Sequence, residues 1–398
     1  MNPGSANDAG KMPVAIVVGG EQTGLGTLRS LKAAGIEACV ACPADDLAAR
    51  SRWFRPTPGI PWDGAIDADT VQRLDAMPVD SAVLIPCGDK AALWLSGLMD
   101  SKLAGRFKAS ISSRETLEIL QDKQKFGAFI AGIGIPHPRT YTICSESDIA
   151  SIPFDTLGRM FLKPADSQSF SSSLGVKGVW AHGRDEFIST WRRLDALGFK
   201  VIAQEYVPGS AADHYFIDGF RDRHGDIRGM LARRRWRIHP PDFGNSSYCE
   251  SVPLAETGHA AAHLATLLSA LEYRGIFSAE FKRDERDGEF RILEVNTRAW
   301  WYVEFATACG VNVCAMAYDD ALGRAVSPSA GTCPAGKGCV NLPADIRCVT
   351  SQRQTFKSWL RILRQWLSGR LHVFAWSDPR PGLSVLMTVV RNTIARRT

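Results

Sequence analysis

An acid, an amide and a cation occupy alternate positions of one strand-like segment. The segment 290–298 carries Glu294, Asn296 and Arg298. Side chains alternate between the two faces of a β-strand, so these three groups should share one face. The same alternation predicts Ile292 on that face, with Leu293 and Val295 on the other.

A second strand-like segment lies upstream and carries one carboxylate. It runs over residues 278–282 and contains Glu280, and the acidic, glycine-containing segment 284–288 separates it from the first. This spacing predicts a β-hairpin that places Glu280 beside Glu294. Two carboxylates and the Asn296 amide oxygen are hard oxygen ligands suited to Mg²⁺, which proteins usually bind together with phosphates. A surface hairpin with ordinary solvated charges is the alternative interpretation.

Two lysines upstream supply positive charge of the kind that binds phosphate. Lys123 opens a helical segment, and Lys163 ends an apolar strand. The serine-rich segment 167–176 follows Lys163, and small residues in a loop leave backbone N–H groups free to approach an anion. A lone Lys-Pro carries no information, and a serine run is ordinarily a linker, so the argument depends on the order of the segments.

In this order and spacing the segments resemble the ATP-grasp superfamily of carboxylate-activating ligases over roughly residues 110 to 325. The Glu-Val-Asn-Thr-Arg motif at residues 294–298 is similar to that of biotin carboxylase. Residues 299–306 look more like ATP-grasp ligases related to D-aspartate ligase. Two features differ: the loop after Lys163 has serine where many relatives use glycine, and Thr297 stands where many have proline.

The resemblance implies a role for each of these residues. Glu280, Glu294 and Asn296 match the metal ligands. Lys123 and Lys163 match the lysines that contact ATP phosphates, and Arg298 matches the cation at the transferred phosphate. The nucleotide would be held further by a hinge that reads adenine through its backbone and by an acid on the ribose hydroxyls: Gln204, Glu205, Tyr206 and Val207 for the hinge, and Asp213 for the ribose.

A dense arginine run offers a clamp for the substrate. Residues 233–237 form a cationic strand in which alternation places Arg233, Arg235 and Arg237 on one face. A solvated face or a nucleic-acid patch is the ordinary interpretation, but no aromatic platform or repeat supports nucleic acid. Inside the cleft of such a ligase, one of these arginines would bind a carboxylate or an acyl phosphate. Arg235 is our candidate, and the sequence alone does not separate it from its neighbours.

The N-terminal part of the chain alternates strands and helices. Residues 14–18, 36–42 and 82–86 are strand-like, which predicts an α/β unit with a parallel sheet. The turn after the first strand does not match the spacing of a dinucleotide fingerprint, so NAD binding is not expected. The resemblance implies a Rossmann-like pre-ATP-grasp domain instead. Asp89 and Lys90 are candidates to face the acceptor substrate there, and a helix-capping acid is the alternative for Asp89.

The predicted fold class is α/β: an ATP-grasp fold with this N-terminal domain and a helical C-terminal tail. A chain of 398 residues is too long for one compact core. The predicted divisions are a disordered N-terminus at 1–11, the pre-ATP-grasp domain at 12–110, the ATP-grasp domain at 111–325 with a lid subdomain at about 126–205, and a linker and basic amphipathic tail at 326–398.

The tail combines positive charge with amphipathic spacing. From Arg353 to Thr398 there are nine Lys or Arg residues against one acid, a net charge of +8, so the remainder of this +5 chain carries −3. Apolar residues recur at helical spacing from Phe356 to Leu367, with basic residues on another face. A helix on an anionic membrane surface fits this pattern. A helix packed on the body with a solvated basic face fits it equally.

Composition and cysteine usage favour an enzyme of the cytoplasm, with the inner face of the membrane left open. No run reaches the ~18 apolar residues that a spanning helix needs, and residues 1–11 lack the apolar region of a signal peptide. The ten cysteines are scattered. Cys39 and Cys42 fall in a predicted buried strand with no second pair, so packing is the expected role.

The resemblance implies an ATP-dependent carboxylate–amine ligase that uses ATP with Mg²⁺ or Mn²⁺. It would form an amide or peptide bond through an acyl phosphate and release ADP and phosphate. The expected partners are a small-molecule carboxylate and amine and no nucleic acid, with a homodimer left open. Carboxylation with bicarbonate and a non-catalytic nucleotide-binding regulator are the alternatives. The complete acid–amide–arginine set favours an enzyme, and nothing in the sequence identifies the acid or the amine.

Overall fold

The computed structural model describes residues 12–59, 61–157, 159–164, 178–241, 244–329 and 334–395. Their strands form three sheets, of four, four and seven strands. The predicted disordered segment 1–11 and the serine-rich loop 167–176 lie outside the described residues. The predicted α/β class, with a parallel N-terminal sheet, is confirmed.

The first sheet is parallel throughout, with strand order β2-β1-β3-β4. Its central strand is apolar on both faces because each face packs into a hydrophobic core. Ile16 and Val18 belong to one core, whereas Ala15 and Val17 belong to another. The elements are β1 (Val14–Val18), α1 (Glu21–Ala33), β2 (Ala38–Ala41), α2 (Thr70–Asp75), β3 (Ala82–Pro86), α3 (Asp89–Leu98) and β4 (Phe107–Lys108).

Two helices lead to a small antiparallel sheet that has a core of its own. Its strand order is β5-β8-β6-β7, and its core includes Phe187 and Leu194. Lys163 lies near the end of β6, and the segment that begins at Gln204 closes β8. The elements are α4 (Arg114–Gln121), α5 (Lys123–Gly132), β5 (Thr140–Ile143), α6 (Glu146–Ala150), α7 (Phe154–Leu157), β6 (Arg159–Pro164), β7 (Val179–His182), α8 (Gly183–Ala196) and β8 (Val201–Glu205).

The third sheet has the strand order β13-β12-β9-β10-β11-β14-β15 and is antiparallel except for its last pair. Its register sets Glu280, Phe216 and Arg233 side by side on three neighbouring strands. The elements are β9 (His214–Arg221), β10 (Ile227–His239), β11 (Asn245–Val252), α9 (Ala260–Ala270), β12 (Gly275–Arg283), β13 (Phe290–Asn296), α10 (Val303–Ala308), α11 (Val313–Ala321), β14 (Gly338–Val340), α12 (Leu342–Thr350), α13 (Phe356–Ser368), β15 (Arg370–Leu371) and α14 (Pro379–Ala395).

Buried acids attach the C-terminal segment to the rest of the molecule. Asp345 is fully buried and accepts hydrogen bonds from Arg237 Nε and Nη2, both at 2.8 Å, and from Trp366 Nε1 at 2.7 Å. Asp378 is also fully buried and pairs with Arg29 of α1. Packing on the body, one of the two interpretations of the tail, therefore describes residues 338–378. Among the described residues, no helix is long and apolar enough to cross a membrane.

We predict that Asp345→Ala lowers the free energy of unfolding by about 3–5 kcal/mol, because it leaves the Arg237 guanidinium without its bidentate carboxylate. Urea denaturation followed by circular dichroism measures the loss. Glu118→Ala is the matched control, since it removes an ion pair with Arg114 and Lys125 that is largely exposed and should cost less than about 1 kcal/mol. Equal losses in the two variants would contradict an anchoring role for Asp345.

Candidate active site

The predicted hairpin is present and aligns the two carboxylates. Strands β12 and β13 pair antiparallel, with Glu280 directly opposite Glu294 and Ser278 opposite Asn296. The Asn296 amide nitrogen donates to the Ser278 carbonyl at 3.4 Å and approaches Glu294 Oε1 at 3.5 Å. Two carboxylates and an amide therefore occupy adjacent positions on two paired strands.

A β-bulge changes the alternation that the sequence predicts for β13. The register passes from Glu280–Glu294 to Phe281–Ile292, so Leu293 is an extra residue without a partner on β12. Ile292 and Val295 both pack into the hydrophobic core. Leu293 and Glu294 line the smaller of the two cavities described below. The expectation that Ile292 shares the face of Glu294 and that Leu293 points away was wrong, because one inserted residue reverses the alternation.

Glu280 is surrounded by groups that favour its ionised form. His214 Nδ1 lies 2.7 Å and Arg235 Nη1 lies 3.3 Å from Glu280 Oε1. Burial would raise the pKa of this carboxyl, but the Arg235 charge and the His214 hydrogen bond outweigh burial and hold the pKa well below its ordinary value. Burial lowers the pKa of His214, so its imidazole is neutral near pH 7. The carboxylate charge is thus balanced mainly by Arg235.

The arginine run does not present all its members to one face. Arg235 pairs in register with Cys249, whereas Arg237 pairs with Tyr248, the next residue, so Trp236 forms a second bulge. Arg237 consequently turns to Asp345 and lines neither cavity described below, which makes the expectation of one shared face wrong for this residue. Arg233 and Arg235 both line the larger of these cavities. Arg235 contacts Glu280 and also donates through Nε to Ser246 Oγ at 3.0 Å.

Arg298 meets an acid of the N-terminal sheet. Its Nε and Nη2 donate to the two carboxylate oxygens of Asp89 at 2.8 and 3.2 Å. Asp89 is the first residue of α3, and Gly88 occupies the capping position before it. Asp89 and Lys90 both line the larger cavity. The two candidates that the sequence offers from the N-terminal unit therefore line the same cavity as Arg298.

Two cavities meet at the paired carboxylates. The larger has a volume of about 860 Å³ and includes Arg298, Asn296 and Trp300 in its walls. The smaller has a volume of about 450 Å³ and includes Phe161, Trp180 and Tyr206. Their shared wall contains most of the charged residues that the sequence identifies: Lys123, Lys163, Arg235, Glu280 and Glu294, with Gln204, Asn245 and Leu293.

The smaller cavity contains the predicted hinge. Gln204, Glu205, Tyr206 and Val207 all line it, and Lys163 Nζ donates to Gln204 Oε1 at 2.8 Å. Asp213 does not line it. The Asp213 carboxylate accepts from the Ser210 backbone and hydroxyl and from Arg283, so its predicted contact with ribose has no counterpart in this arrangement and stays a prediction.

The donor set fits a hard divalent cation that also binds phosphate. Glu280 Oε2 has no hydrogen-bond partner within the described parts of the chain, and Glu294 is exposed on the opposite strand. Across those same residues, no group of three or more His, Cys, Asp and Glu side chains is arranged for a metal. Two carboxylates and one amide would therefore leave coordination positions for phosphate oxygens and water, as Mg²⁺ prefers.

Some residues of the site have weak signals in the sequence. His214 contacts Glu280, and Lys282 lines the smaller cavity, where its Nζ donates to Tyr206 Oη at 3.2 Å. Lys282 stands two residues after Glu280 and His214 follows Asp213, so strand alternation could have indicated Lys282. The contact of His214 with Glu280 depends on the pairing of β9 with β12, which local sequence does not reveal.

No protein-family model matches the chain. D-aspartate ligase from Enterococcus faecium strain Aus0004 is 24% identical over 326 residues, which cover 77% of this chain and 76% of the relative. Solved structures with the ATP-grasp fold superpose on this chain, which confirms the predicted architecture. N5-carboxyaminoimidazole ribonucleotide synthetase from Thermus thermophilus superposes with a TM-score of 0.58 at 17% identity and covers 82% of this chain and 81% of its own. The corresponding synthase from Aspergillus clavatus, complexed with ATP, superposes with a TM-score of 0.62 at 12% identity and covers 81% of this chain and 80% of its own. Biotin carboxylase from Campylobacter jejuni superposes with a TM-score of 0.60 at 15% identity and covers 79% of this chain and 72% of its own.

Because Lys282 is buried, its titration makes the free energy of unfolding of the protein depend on pH. Desolvation lowers the pKa of this lysine to about 8 from an ordinary 10.5, so the folded state binds its proton less tightly than the unfolded state does. The resulting loss of folding free energy is present in full below about pH 8 and disappears as the pH rises to 10.5.

We therefore predict that the free energy of unfolding of the unmodified protein rises, relative to Lys282→Met, by on the order of 3 kcal/mol between about pH 7 and about pH 10.5. Urea denaturation at several pH values gives this difference. Lys125→Met, which removes an exposed lysine, is measured in parallel as the control. A difference for Lys282→Met that stays constant with pH would refute the burial argument.

Proposed function

We propose that the chain is an ATP-dependent carboxylate–amine ligase of the ATP-grasp superfamily. It joins a small-molecule carboxylate to an amine in an amide or peptide bond and releases ADP and phosphate. The 24% identity to a D-aspartate ligase over three quarters of both chains supports this class of reaction.

The observation that carries the proposal is the position of the charged residues between the two cavities. Aromatic side chains in the smaller cavity suit a nucleotide base, and the larger cavity has room for the carboxylate and the amine. A phosphoryl group that passes from one cavity to the other must pass Lys123, Lys163, Glu280 and Glu294. These residues are therefore where charge would develop during transfer.

Bound ATP with Mg²⁺ would supply the γ-phosphoryl group and the cationic charge that neutralises it. Glu280, Glu294 and Asn296 would hold the metal, and Arg235 keeps Glu280 ionised for that purpose. Lys163 and Arg298 would stabilise the phosphoryl oxygens, so these residues act by positioning and by electrostatics. Arg298 would exchange its contact with Asp89 for the anionic substrate.

The chemistry proceeds in two displacements. An oxygen of the substrate carboxylate attacks the γ-phosphorus and ADP leaves, which gives an acyl phosphate. The amine nitrogen then attacks the acyl carbon and inorganic phosphate leaves with the original carboxylate oxygen. Asp89 and Lys90 lie on the wall of the larger cavity and are our candidates to bind the amine substrate.

Carboxylation with bicarbonate is the second candidate function, because biotin carboxylase and two carboxyaminoimidazole ribonucleotide synthetases share the fold. A regulator that binds nucleotide without turnover has less support. It would not need paired carboxylates at the junction of two cavities.

We predict that Glu294→Gln and Arg298→Ala each lower ADP release by on the order of a hundredfold or more, because the first removes a proposed metal ligand and the second removes a cation beside the transferred phosphoryl group. ADP release is measured against paired pools of amino acids and carboxylic acids. Cys39→Ser and Cys42→Ser are the controls. Burial raises the pKa of both thiols, so they stay protonated and unreactive. Loss of turnover in the cysteine variants, with Arg298→Ala unaffected, would reverse the assignment.

We further predict that one ¹⁸O atom from a labelled carboxylate substrate appears in inorganic phosphate, because the acyl phosphate carries that oxygen when the amine displaces it. Mass spectrometry of phosphate and chromatography of the nucleotide products test this. Formation of AMP and pyrophosphate would exclude the acyl-phosphate route. Bicarbonate-dependent ADP formation without an amine would favour the carboxylase.

Helix α13 packs on the body through its buried face, and its exposed face carries a second proposal, contact with an anionic membrane surface. Phe356, Leu360, Leu363 and Leu367 are exposed along one stripe of this helix, and Lys357, Arg361 and Arg364 lie beside them. Co-sedimentation with phosphatidylglycerol vesicles should be lost in Leu363→Glu, whereas Val71→Glu changes an exposed apolar residue elsewhere and should have no effect. A smaller oligomer in Leu363→Glu, with no vesicle binding by the parent, would instead assign the stripe to a homodimer.

A further inference from the structure

Part of the wall of the larger cavity is a loop that belongs to no strand or helix. Residues 297–302 connect β13 to α10, and Trp301 and Tyr302 of this loop line the cavity. A segment outside the sheet and the helices has no ladder of its own, so contacts from other elements must hold it. Tyr302 Oη donates to the Ser246 carbonyl of β11, which is one such contact.

His372 contacts the same loop from the C-terminal segment. Its Nε2 lies 2.7 Å from the Trp301 carbonyl oxygen. A carbonyl oxygen can only accept a hydrogen bond, so the imidazole donates to it through Nε2–H. The same ring stacks on Tyr302, with the ring centres 4.5 Å apart and the planes 24° from parallel. One histidine therefore contacts two aromatic residues of the wall, the first through a hydrogen bond and the second through a stacked ring.

The backbone of His372 is fixed by the seven-stranded sheet. His372 directly follows β15, whose Leu371 pairs with Val340 of β14. Its own N–H donates to the Val340 carbonyl at 2.9 Å and so extends this pairing by one residue. Position 372 lies beyond the ATP-grasp domain that the sequence predicts at 111–325. The C-terminal segment thus supplies a fixed hydrogen-bond donor to the wall of a cavity that the other domains form.

We propose that His372 is a positioning residue: by donating to the Trp301 carbonyl, it holds Trp301 and Tyr302 in the place where the acid or the amine binds. The inference rests on the proposed function, because it assigns the larger cavity to these two substrates. His372 is not among the described residues that line either cavity, so it acts through the loop and not by contact with substrate. Trp301 and Tyr302 do not line the smaller cavity, so nucleotide binding there should not depend on His372.

Hydrogen–deuterium exchange of the full chain tests the positioning without turnover. His372→Phe keeps a ring beside Tyr302 and removes the N–H, whereas His372→Gln keeps an N–H at a similar reach. The amides of residues 299–303 should exchange about fivefold faster in His372→Phe, as expected for the loss of one ordinary hydrogen bond. They should exchange at nearly the parent rate in His372→Gln, and residues 201–205 of the small sheet should be unchanged in both. An unchanged rate at 299–303 in His372→Phe, or an equal increase at 201–205, would overturn the proposal.

Steady-state kinetics gives the second readout. With an acid and an amine identified by ADP release, His372→Phe should raise KM for at least one of them about fivefold and leave KM for ATP within about twofold. His372→Gln should return that KM to nearly the parent value. A purely structural role would lower kcat through a smaller folded fraction and leave every KM unchanged, which would overturn the proposal. His259→Phe is the matched control, because His259 is exposed and lines neither cavity.

The two readouts separate this proposal from the proposed function. If no acid and amine give ADP, the ligase reaction is rejected, and hydrogen exchange alone decides whether His372 holds the wall. If exchange rises at 299–303 while KM for the acid and the amine stays at the parent value, the loop does not position substrate and the proposal is overturned. His372→Met, which also lacks an N–H, replaces His372→Phe if that variant does not fold.

Discussion

The ionised state of Glu280 is the condition on which the rest of the site depends. A carboxylate among packed strands would take up a proton unless a cation lay beside it, and a protonated acid is a poor ligand for Mg²⁺. Arg235 supplies that cation from β10, and neutral His214 supplies a hydrogen bond from β9. The pairing of β12 with β9 and of β9 with β10 thus determines the charge of the acid as well as its position.

The junction of the two cavities follows from the same sheet. Its β12–β13 hairpin presents Glu294 to both cavities, while β6 of the small sheet brings Lys163 and the start of α5 brings Lys123 to the shared wall. Each of these residues comes from a different structural element. The charged wall therefore exists only where the small sheet, α5 and the large sheet approach one another.

The sequence predicts the local features of this site and misses those that depend on one inserted residue or on distant pairing. The hairpin and the pairing of Glu280 with Glu294 follow from alternation and a turn of suitable composition. The bulges at Leu293 and Trp236 do not, because nothing in either side chain distinguishes an extra residue from a regular one. The contacts of Arg298 with Asp89 and of Asp345 with Arg237 join residues far apart in the chain. The ordering of elements that resembles the superfamily predicts the fold, whereas the partner of each arginine requires the three-dimensional arrangement.

The contacts of Arg29 have a consequence for the order in which the protein matures on the ribosome. This arginine of α1 is buried, and its partners Glu304, the Val373 carbonyl and Asp378 all come from the last third of the chain. At a synthesis rate of roughly 5–20 residues per second, Asp378 is made on the order of 20 to 70 seconds after Arg29. Until residue 303 has been made, α1 lacks its neighbour α10, whose Val303 lies close to Gly26 of α1. The N-terminal unit therefore reaches its final packing only after its partners at residues 304–378 have been made.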